Sequence, residues 1–386
     1  MINKKYAETD TAFNFKKNKK IMFVMNDINF LISHRLELYQ KLQEIGNELI
    51  VVCGNKKIKK EYIHKLKEIN FVQLDFSPSE KNPIKIIFSL IKIIKIIKKN
   101  KPCKIHTVSP IGNLLGGVSS IFFKKIHLIS AISGRGTLYI DQKLKTKLIK
   151  SIFSFCEYIY LNKKNSSTIT QNSFDFADIK RKQFFLKKNT LIMGSGVNLL
   201  KFIPKKTQKI YDFCFVGRLT MEKGIVDFIE AASFAQQENN DLKFVVIGEM
   251  PVEDLKLCNY LESQFAAKAF INFVGFKTNL PDYYNKSKIL CLPSKREGMP
   301  RVVLEASACG IPSIAYNVIG CSEAIVNGVN GFLVNKVSPN DLGKKMVEVV
   351  NRDDLSKLGE TSRTHAEKKF SIESVISSHL KLYESI

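Results

Sequence analysis

Between Lys20 and Tyr316 the chain alternates short apolar runs with longer amphipathic segments, and it does so in two rounds. In the first round Ile21–Met25, Leu49–Cys53, Phe71–Leu74, Lys104–Thr107, His127–Ile132 and Tyr158–Leu161 read as strands. Ser33–Ile45, Lys57–Ile69, Pro83–Lys99 and Lys143–Phe155 read as the helices between them. Such runs are too short for buried helices and suit strands covered on both faces, while the amphipathic segments suit helices laid over a sheet. Strands that alternate with helices form βαβ units, which place the strands in parallel. The pattern pauses at Gly194–Pro204 and the polar stretch Lys205–Lys209. It restarts with strands Phe213–Val216, Phe244–Ile247, Ile271–Val274, Ile289–Pro293 and Ser313–Tyr316, and helices Gly224–Gln237, Val252–Ala266 and Arg301–Ala308.

The expected fold is therefore α/β: two consecutive doubly wound, Rossmann-like domains whose sheets face a cleft with their carboxyl ends. The boundaries read as 1–195 and 196–371, followed by a terminal helix in 372–386 that packs back on the N-terminal domain. With 386 residues, each domain has enough chain to bury a core.

Charge separates the halves. Residues 1–200 carry 36 Lys and Arg against 14 Asp and Glu, and the remainder carries 24 against 22. A lysine-rich codon bias would inflate bases everywhere, yet acids balance them only in the second half. An anionic membrane surface, an anionic acceptor or nucleic acid would each favour such a half. It holds no nucleic-acid module and no basic motif interleaved with aromatics, so nucleic acid is not an expected partner. In Pro83–Lys99 the apolar residues Ile84, Ile86, Ile87, Leu90, Ile91, Ile94 and Ile97 are set against Lys85, Lys92, Lys95 and Lys99. A sheet-covering helix with a lysine-edged outer face explains this, and so does a membrane-facing surface joined by Phe122–Lys125 and Lys143–Lys150. The eight cysteines are scattered, with no CxxC pair, as expected of thiols in a reducing compartment. No run of about 18 apolar residues and no apolar signal core near Met1–Lys20 occurs, so a cytoplasmic location, peripheral on the inner membrane face, is expected.

Two loops hold the candidate chemistry. Phe215-Val-Gly-Arg-Leu-Thr-Met-Glu-Lys-Gly224 puts Gly217 at a strand end, then Arg218 and Lys223 in the loop before a helix. A guanidinium fork and a flexible ammonium suit a diphosphate leaving group; two solvated surface charges are the plainer account. In Pro293-Ser-Lys-Arg-Glu-Gly-Met-Pro-Arg301, a strand end leads through Glu297 and Gly298 into a helix that carries Glu305. The unpaired N–H groups of that helix start suit phosphate or sugar oxygens. Two carboxylates in these positions suit two diols better than an opposed acid–base pair; an exposed helix residue and an ordinary turn are the alternative. Neither a Walker P-loop nor GxGxxG is present, and no Asp-x-Asp pair stands at a strand end to hold a metal.

These segments together resemble the family-4 retaining glycosyltransferases of the GT-B fold, over most of the chain and most strongly over 192–335. The matching elements are Gly194-Ser-Gly-Val-Asn198 with Phe202, Val216-Gly-Arg-Leu, Lys223-Gly, Ile247-Gly-Glu249, Val274-Gly-Phe276, Leu292–Pro300, the Glu297-x7-Glu305 spacing, and Glu323–Val334. The resemblance implies hexosyl or N-acetylhexosaminyl transfer from a nucleoside-diphosphate sugar, with no further cofactor and no metal. Uridine is the expected base because most members use it. The implied acceptor is lipid-linked or a growing polysaccharide, as in O-antigen and capsule synthesis. Arg218 and Lys223 would hold the diphosphate. Glu297, with Gly298, Met299, Pro300 and Arg301, would hold the sugar. Glu305 would hold the ribose, with the base near Gly248, Val274 and Phe276.

On the N-terminal side the resemblance points to Asn26, Asp27, His34, Arg35, His106, Ser109 and Arg135. Many members carry a His in the loop after the His127–Ile132 strand; Ala131–Gly136 has none, and His106 on the preceding strand is the candidate in its place. Members retain configuration by front-face attack through an ion-pair-like transition state, with no established enzymic nucleophile. Two rivals stand beside this reading. A sugar-nucleotide epimerase of the same architecture would need acid–base residues in the cleft and no acceptor. A non-catalytic nucleic-acid-binding protein would use the basic half.

Overall fold

The computed structural model describes residues 19–77, 80, 82–132, 144–182 and 188–386. The chain forms two compact units. The first takes the described residues up to Thr170, with Asp175–Ile192 and Ile376–Ile386; the second takes Gln171–Phe174 and Met193–Val375.

The first unit is built on strands β1 (Lys20–Met25), β2 (Glu48–Gly54), β3 (Phe71–Leu74), β4 (Lys104–Val108), β5 (His127–Ile132), β6 (Ser166–Thr170) and β7 (Asn189–Leu191). They lie in the order β3-β2-β1-β4-β5-β6-β7, with every pairing parallel. Its helices are α1 (Ile28–His34), α2 (Leu36–Glu44), α3 (Pro83–Asn100), α4 (Pro110–Ile121), α5 (Leu144–Leu161) and α6 (Ser173–Lys182), the last beginning in the second unit. Because β1 and β4 are neighbours, the strand order reverses between them, and their carboxyl ends flank the switch point.

Three local expectations are corrected. Tyr158–Leu161 is the last turn of α5, and the next strand is β6, Ser-Ser-Thr-Ile-Thr. That polar run is wholly buried, and three of its four hydroxyls find partners: Ser166 Oγ donates to Leu161 O and Thr168 Oγ1 to Asn189 Oδ1, while Ser167 Oγ meets His127 Nε2. Lys57–Ile69 is a 3-10 segment over Lys60–Glu68 with no buried residue, so no apolar face holds it in a full helix. The helix α4 was not anticipated; its glycines and serines are weak helix formers, and burial of most of its length overrides propensity. On α3 the inner side buries Ser89, Ile93 and Ile97. The outer side leaves Ile84, Ile87, Phe88 and Ile91 between 44% and 62% exposed.

The second unit repeats the plan. Strands β8 (Tyr211–Val216), β9 (Phe244–Ile247), β10 (Ile271–Gly275), β11 (Ser287–Leu292), β12 (Ser313–Tyr316) and β13 (Gly331–Val334) run parallel in the order β10-β9-β8-β11-β12-β13. The helices are α7 (Ile225–Glu238), α8 (Leu255–Ala267), α9 (Leu280–Asn285), α10 (Arg301–Ala308), α11 (Cys321–Ala324), α12 (Pro339–Val350) and α13 (Leu355–Lys369). One core face stacks Phe213 on Phe244 at 5.4 Å, with Phe228 edge-on to Phe244 at 6.2 Å. Each such ring contributes about 1.5–3 kcal/mol on full burial. Arg363 on α13 donates from Nη1 to Phe202 O (2.7 Å) and Ala308 O (2.6 Å), which caps the carboxyl end of α10.

The last helix, α14 (Ile372–Glu384), begins in the second unit and ends in the first. Within the first unit Tyr383 is fully buried with its hydroxyl 2.5 Å from His106 Nδ1, and Lys104 Nζ donates to Ile386 O at 2.7 Å.

Candidate functional site

Sheet topology brings the two motif loops of the second unit together. β8 and β11 are adjacent, with Phe213 opposite Ile289 and Cys214 opposite Leu290. The loops that follow them therefore leave the carboxyl edge side by side, where the strand order reverses. Across this junction Lys223 Nζ meets Glu297 Oε1 at 2.5 Å, with side chains 25% and 10% exposed.

Several contacts fix that meeting. Thr220 caps the 3-10 turn Met221–Lys223, its Oγ1 accepting from Lys223 N. Gly224 then turns back at φ +73°, so close to the second loop that a Cβ would stand 2.0 Å from Pro293 O. Only glycine combines that conformation with that approach. Lys295 N donates to Glu222 O (2.9 Å), and Lys295 Nζ reaches Asp227 Oδ1 at 3.3 Å. The other oxygen of this buried carboxylate, Oδ2, accepts from Tyr316 OH at 3.0 Å. Asn172, in the short Gln171–Phe174 segment, donates to Gly298 O at 3.1 Å.

Arg218 directly follows Gly217, is exposed, and makes no side-chain hydrogen bond or ion pair among the described residues. The glycines at three neighbouring strand ends line up: Gly217 N donates to Ile247 O and Gly248 N to Gly275 O. A Cβ on Gly248 would lie 2.0 Å from Gly217 O, so the backbone there is bare. Val274 and Phe276 flank Gly275 and are half-buried.

Glu305 is one turn inside α10 and only 5% exposed, not a surface residue. Arg301 Nε donates to its Oε1 at 2.8 Å, and Tyr284 OH to its Oε2 at 3.1 Å. Met299 and Pro300 are buried where the loop enters α10. Burial and the adjacent Glu305 carboxylate push the Tyr284 phenol well above its ordinary value, so it remains a donor. Lys223 and Glu297 are thus brought together, as are Arg301 and Glu305, while Arg218 stands apart in the first loop. Tyr284, Asp227, Lys295 and Asn172 were not singled out from the sequence. Tyr284 is one of two adjacent tyrosines, and nothing in Tyr283-Tyr284 says which one faces a carboxylate.

In the first unit Asn26 and Asp27 follow β1 and Ser109 follows β4, so they stand at the corresponding switch point. Asp27 is committed as a helix cap, its Oδ1 accepting from Phe30 N at 3.0 Å. Ser109 is buried at φ +70°. His34 stacks on Phe30 at 4.5 Å with its Nδ1 on Ser33 Oγ. His106 is corrected: it has no exposed surface, packs on Phe23 at 5.1 Å and bonds Tyr383, so it reaches no acceptor. Arg35, 2% exposed, is likewise inside. Arg135 and the Ser133–Gly136 stretch lie outside the described residues. Among the described residues no three His, Cys, Asp or Glu side chains gather as a metal-binding group.

A family model described as glycosyl transferases group 1 matches residues 198–365, which includes every residue of the Lys223–Glu297–Glu305 site. A second, described as glycosyl transferase 4-like, matches residues 20–173. The chain belongs to the glycosyltransferases. This transferase is 23% identical over 380 residues to the N,N'-diacetylbacillosaminyl-diphospho-undecaprenol alpha-1,3-N-acetylgalactosaminyltransferase of Campylobacter jejuni, across 91% of its own length and 95% of that protein's. It is 27% identical over 305 residues to the UDP-Gal:alpha-D-GlcNAc-diphosphoundecaprenol alpha-1,3-galactosyltransferase of Escherichia coli, across 75% and 77%. Among solved structures, Anabaena HepE in complex with UDP and glucose superposes with a TM-score of 0.77 at 15% identity, across 95% of the transferase and 100% of that chain. That likeness establishes the fold, GT-B with two Rossmann-like domains.

Proposed function

We propose that the transferase moves a sugar, with retention, from a UDP-sugar to a lipid-linked or polysaccharide acceptor in bacterial surface glycan synthesis. The observation that carries this reading is the Lys223–Glu297 contact at the β8/β11 switch point, with Glu305 fixed one turn into the following helix. A cation and a carboxylate at one spot suit the two ends of a donor, its diphosphate and its sugar hydroxyls. The names of the C. jejuni and E. coli relatives support a diphospho-undecaprenol acceptor and an α-linked product, and that of the E. coli relative a UDP-sugar.

In this mechanism Lys223 and Arg218 take the charge that develops on the departing diphosphate. Removing one such donor typically costs ~3–4 kcal/mol of transition-state stabilisation. Glu297 orients the sugar through its hydroxyls, Glu305 accepts from the ribose diol, and the base lies against Gly248, Val274 and Phe276. No side chain attacks the anomeric carbon, and cations rather than a metal ion neutralise the leaving group. The test is nuclear magnetic resonance of reactions with a panel of UDP-sugars and a diphospho-lipid acceptor, with and without chelator. Retained configuration, UDP release and indifference to chelator are expected. Release only of an isomerised sugar nucleotide would mark an epimerase instead.

The first unit supplies the acceptor side and an anionic membrane surface supplies the place, at the inner face of the cytoplasmic membrane; nucleic acid has no part. The outer side of α3 supports this: Ile84, Ile87, Phe88 and Ile91 are exposed, Lys85, Lys92, Lys95, Lys98 and Lys99 surround or continue them, and the helix holds no acid. Among the described residues no helix is long and apolar enough to cross a membrane, so contact would be peripheral. Each cation near an anionic surface contributes ~1 kcal/mol. Vesicle flotation at low salt should show a preference for anionic over neutral liposomes; equal partitioning would contradict it.

A further inference from the structure

Glu305 is a buried carboxylate with an incomplete set of partners. Arg301 fills one acceptor position on Oε1 and Tyr284 one on Oε2. An ionised carboxylate offers about four lone-pair sites, so each oxygen keeps room for one more donor. The two donors come from different directions, Arg301 from the turn before on α10 and Tyr284 from α9. A carboxylate gripped on both oxygens has lost its rotational freedom about the terminal bond, which a single ion pair would leave intact.

Tyr284 is itself held. It is fully buried, and its ring lies 6.2 Å from that of Phe202. Its neighbour Asn285 locks the end of α9: Nδ2 donates to Ile203 O and Pro281 O, while Oδ1 accepts from Lys205 N. The phenol therefore arrives at Glu305 from a fixed frame, and its burial keeps it a donor over the whole working pH range.

We propose that Tyr284 is a positioning residue, which with Arg301 holds the Glu305 carboxylate as a preformed receptor for the 2′,3′-diol of the donor's ribose. This deepens the proposed function and rests on its assignment of Glu305. Preformation matters because a carboxylate already aligned loses no freedom when the diol arrives. The selective consequence is preference for a ribonucleotide: a 2′-deoxyribose leaves one of the aligned lone pairs unmet.

The experiment is calorimetric binding of UDP and of 2′-deoxy-UDP to the full chain as wild type, Tyr284→Phe, Glu305→Gln and the double variant, each checked for folding by circular dichroism. Tyr284→Phe should weaken UDP about ten-fold, the scale of one hydrogen bond to a charged group. It should weaken 2′-deoxy-UDP less, and add nothing further once Glu305 is Gln. Its kcat at saturating donor should stay near wild type, with the loss in KM. Glu305→Asp, which draws the carboxylate back from both donors without altering Tyr284, should narrow the preference for UDP in the same way. If Tyr284→Phe binds UDP as wild type while Glu305→Gln does not, the positioning role is wrong and the Glu305 assignment stands. Equal weakening of both nucleotides by Tyr284→Phe, or losses that simply add in the double variant, would also overturn the role. Wild-type binding of both nucleotides by Glu305→Gln would remove the underlying assignment.

Discussion

Lys223 and Glu297 are 74 positions apart in sequence, yet Nζ and Oε1 stand 2.5 Å from each other at the carboxyl edge of the second sheet. Glu297, the less exposed of the two at 10%, depends on that cation more than the cation depends on it. Replacing Lys223 by Met should therefore destabilise the fold more than replacing both Lys223 by Met and Glu297 by Gln. The expected coupling is about 1 kcal/mol, read from urea unfolding of the single and double variants. Strictly additive losses would show that the pair contributes nothing to holding the loops.

Gly224 gives a sharper structural prediction. Alanine there meets both a φ of +73° and a backbone carbonyl 2.0 Å from its Cβ, whereas Gly328 has a φ of +76° and nothing within 4 Å. Gly328→Ala should cost only the left-handed strain, ~1–2 kcal/mol. Gly224→Ala should cost clearly more and also lower turnover, because Pro293 and the Glu297 loop must move. Equal losses in urea unfolding would mean that the approach to Pro293 is not obligatory.

Much of this was legible in the sequence and some was not, for separable reasons. The central strands could be read because burial on both faces makes them continuously apolar, as in Phe213–Val216 and Phe244–Ile247. β6 could not, because four of its five buried residues are Ser or Thr, which a search for apolar runs passes over. Arg218, Lys223, Glu297 and Glu305 could be singled out from motif spacing. The meeting of Lys223 with Glu297 could not, since only the strand order places β8 beside β11. Tyr284 and Asp227 were missed for a related reason. Tyr284 acts through a hydrogen bond to Glu305, and Asp227 through one from Tyr316 and an ion pair with Lys295; each partner comes from another element, and a local pattern carries no trace of it.

Stability should depend on pH through His106. Complete burial, then His379 and Arg35 nearby, hold its imidazole well below the ordinary value, so it is neutral in the folded chain. The unfolded chain takes up that proton as pH falls through ~6.5, at up to ~1.4 kcal/mol per pH unit. This contribution is thus fully present above about pH 6.5 and is lost progressively below it. His106→Gln should be less stable than wild type near neutrality but lose less between about pH 7 and pH 5 in urea unfolding. Parallel losses in the two proteins would contradict the assignment.

Arg363 should be a large single contributor to the second unit. Its guanidinium reaches Phe202 O and Ala308 O together and pairs with Glu367 at 2.7 Å. Arg363→Ala strands both carbonyls and should cost about 2–3 kcal/mol. Arg363→Lys should recover only part, since an ammonium cannot fork between acceptors as a planar guanidinium does. Full recovery by lysine in thermal or urea unfolding would argue that charge alone matters.

The central claim is that the cations after β8 carry the charge of a leaving diphosphate. It is tested most directly by the kcat of Arg218→Ala and Lys223→Ala, measured as nucleoside diphosphate release at saturating sugar nucleotide, on proteins shown to be folded. The account predicts a fall of about 10²–10³-fold in each variant. Turnover near wild type in both would contradict it.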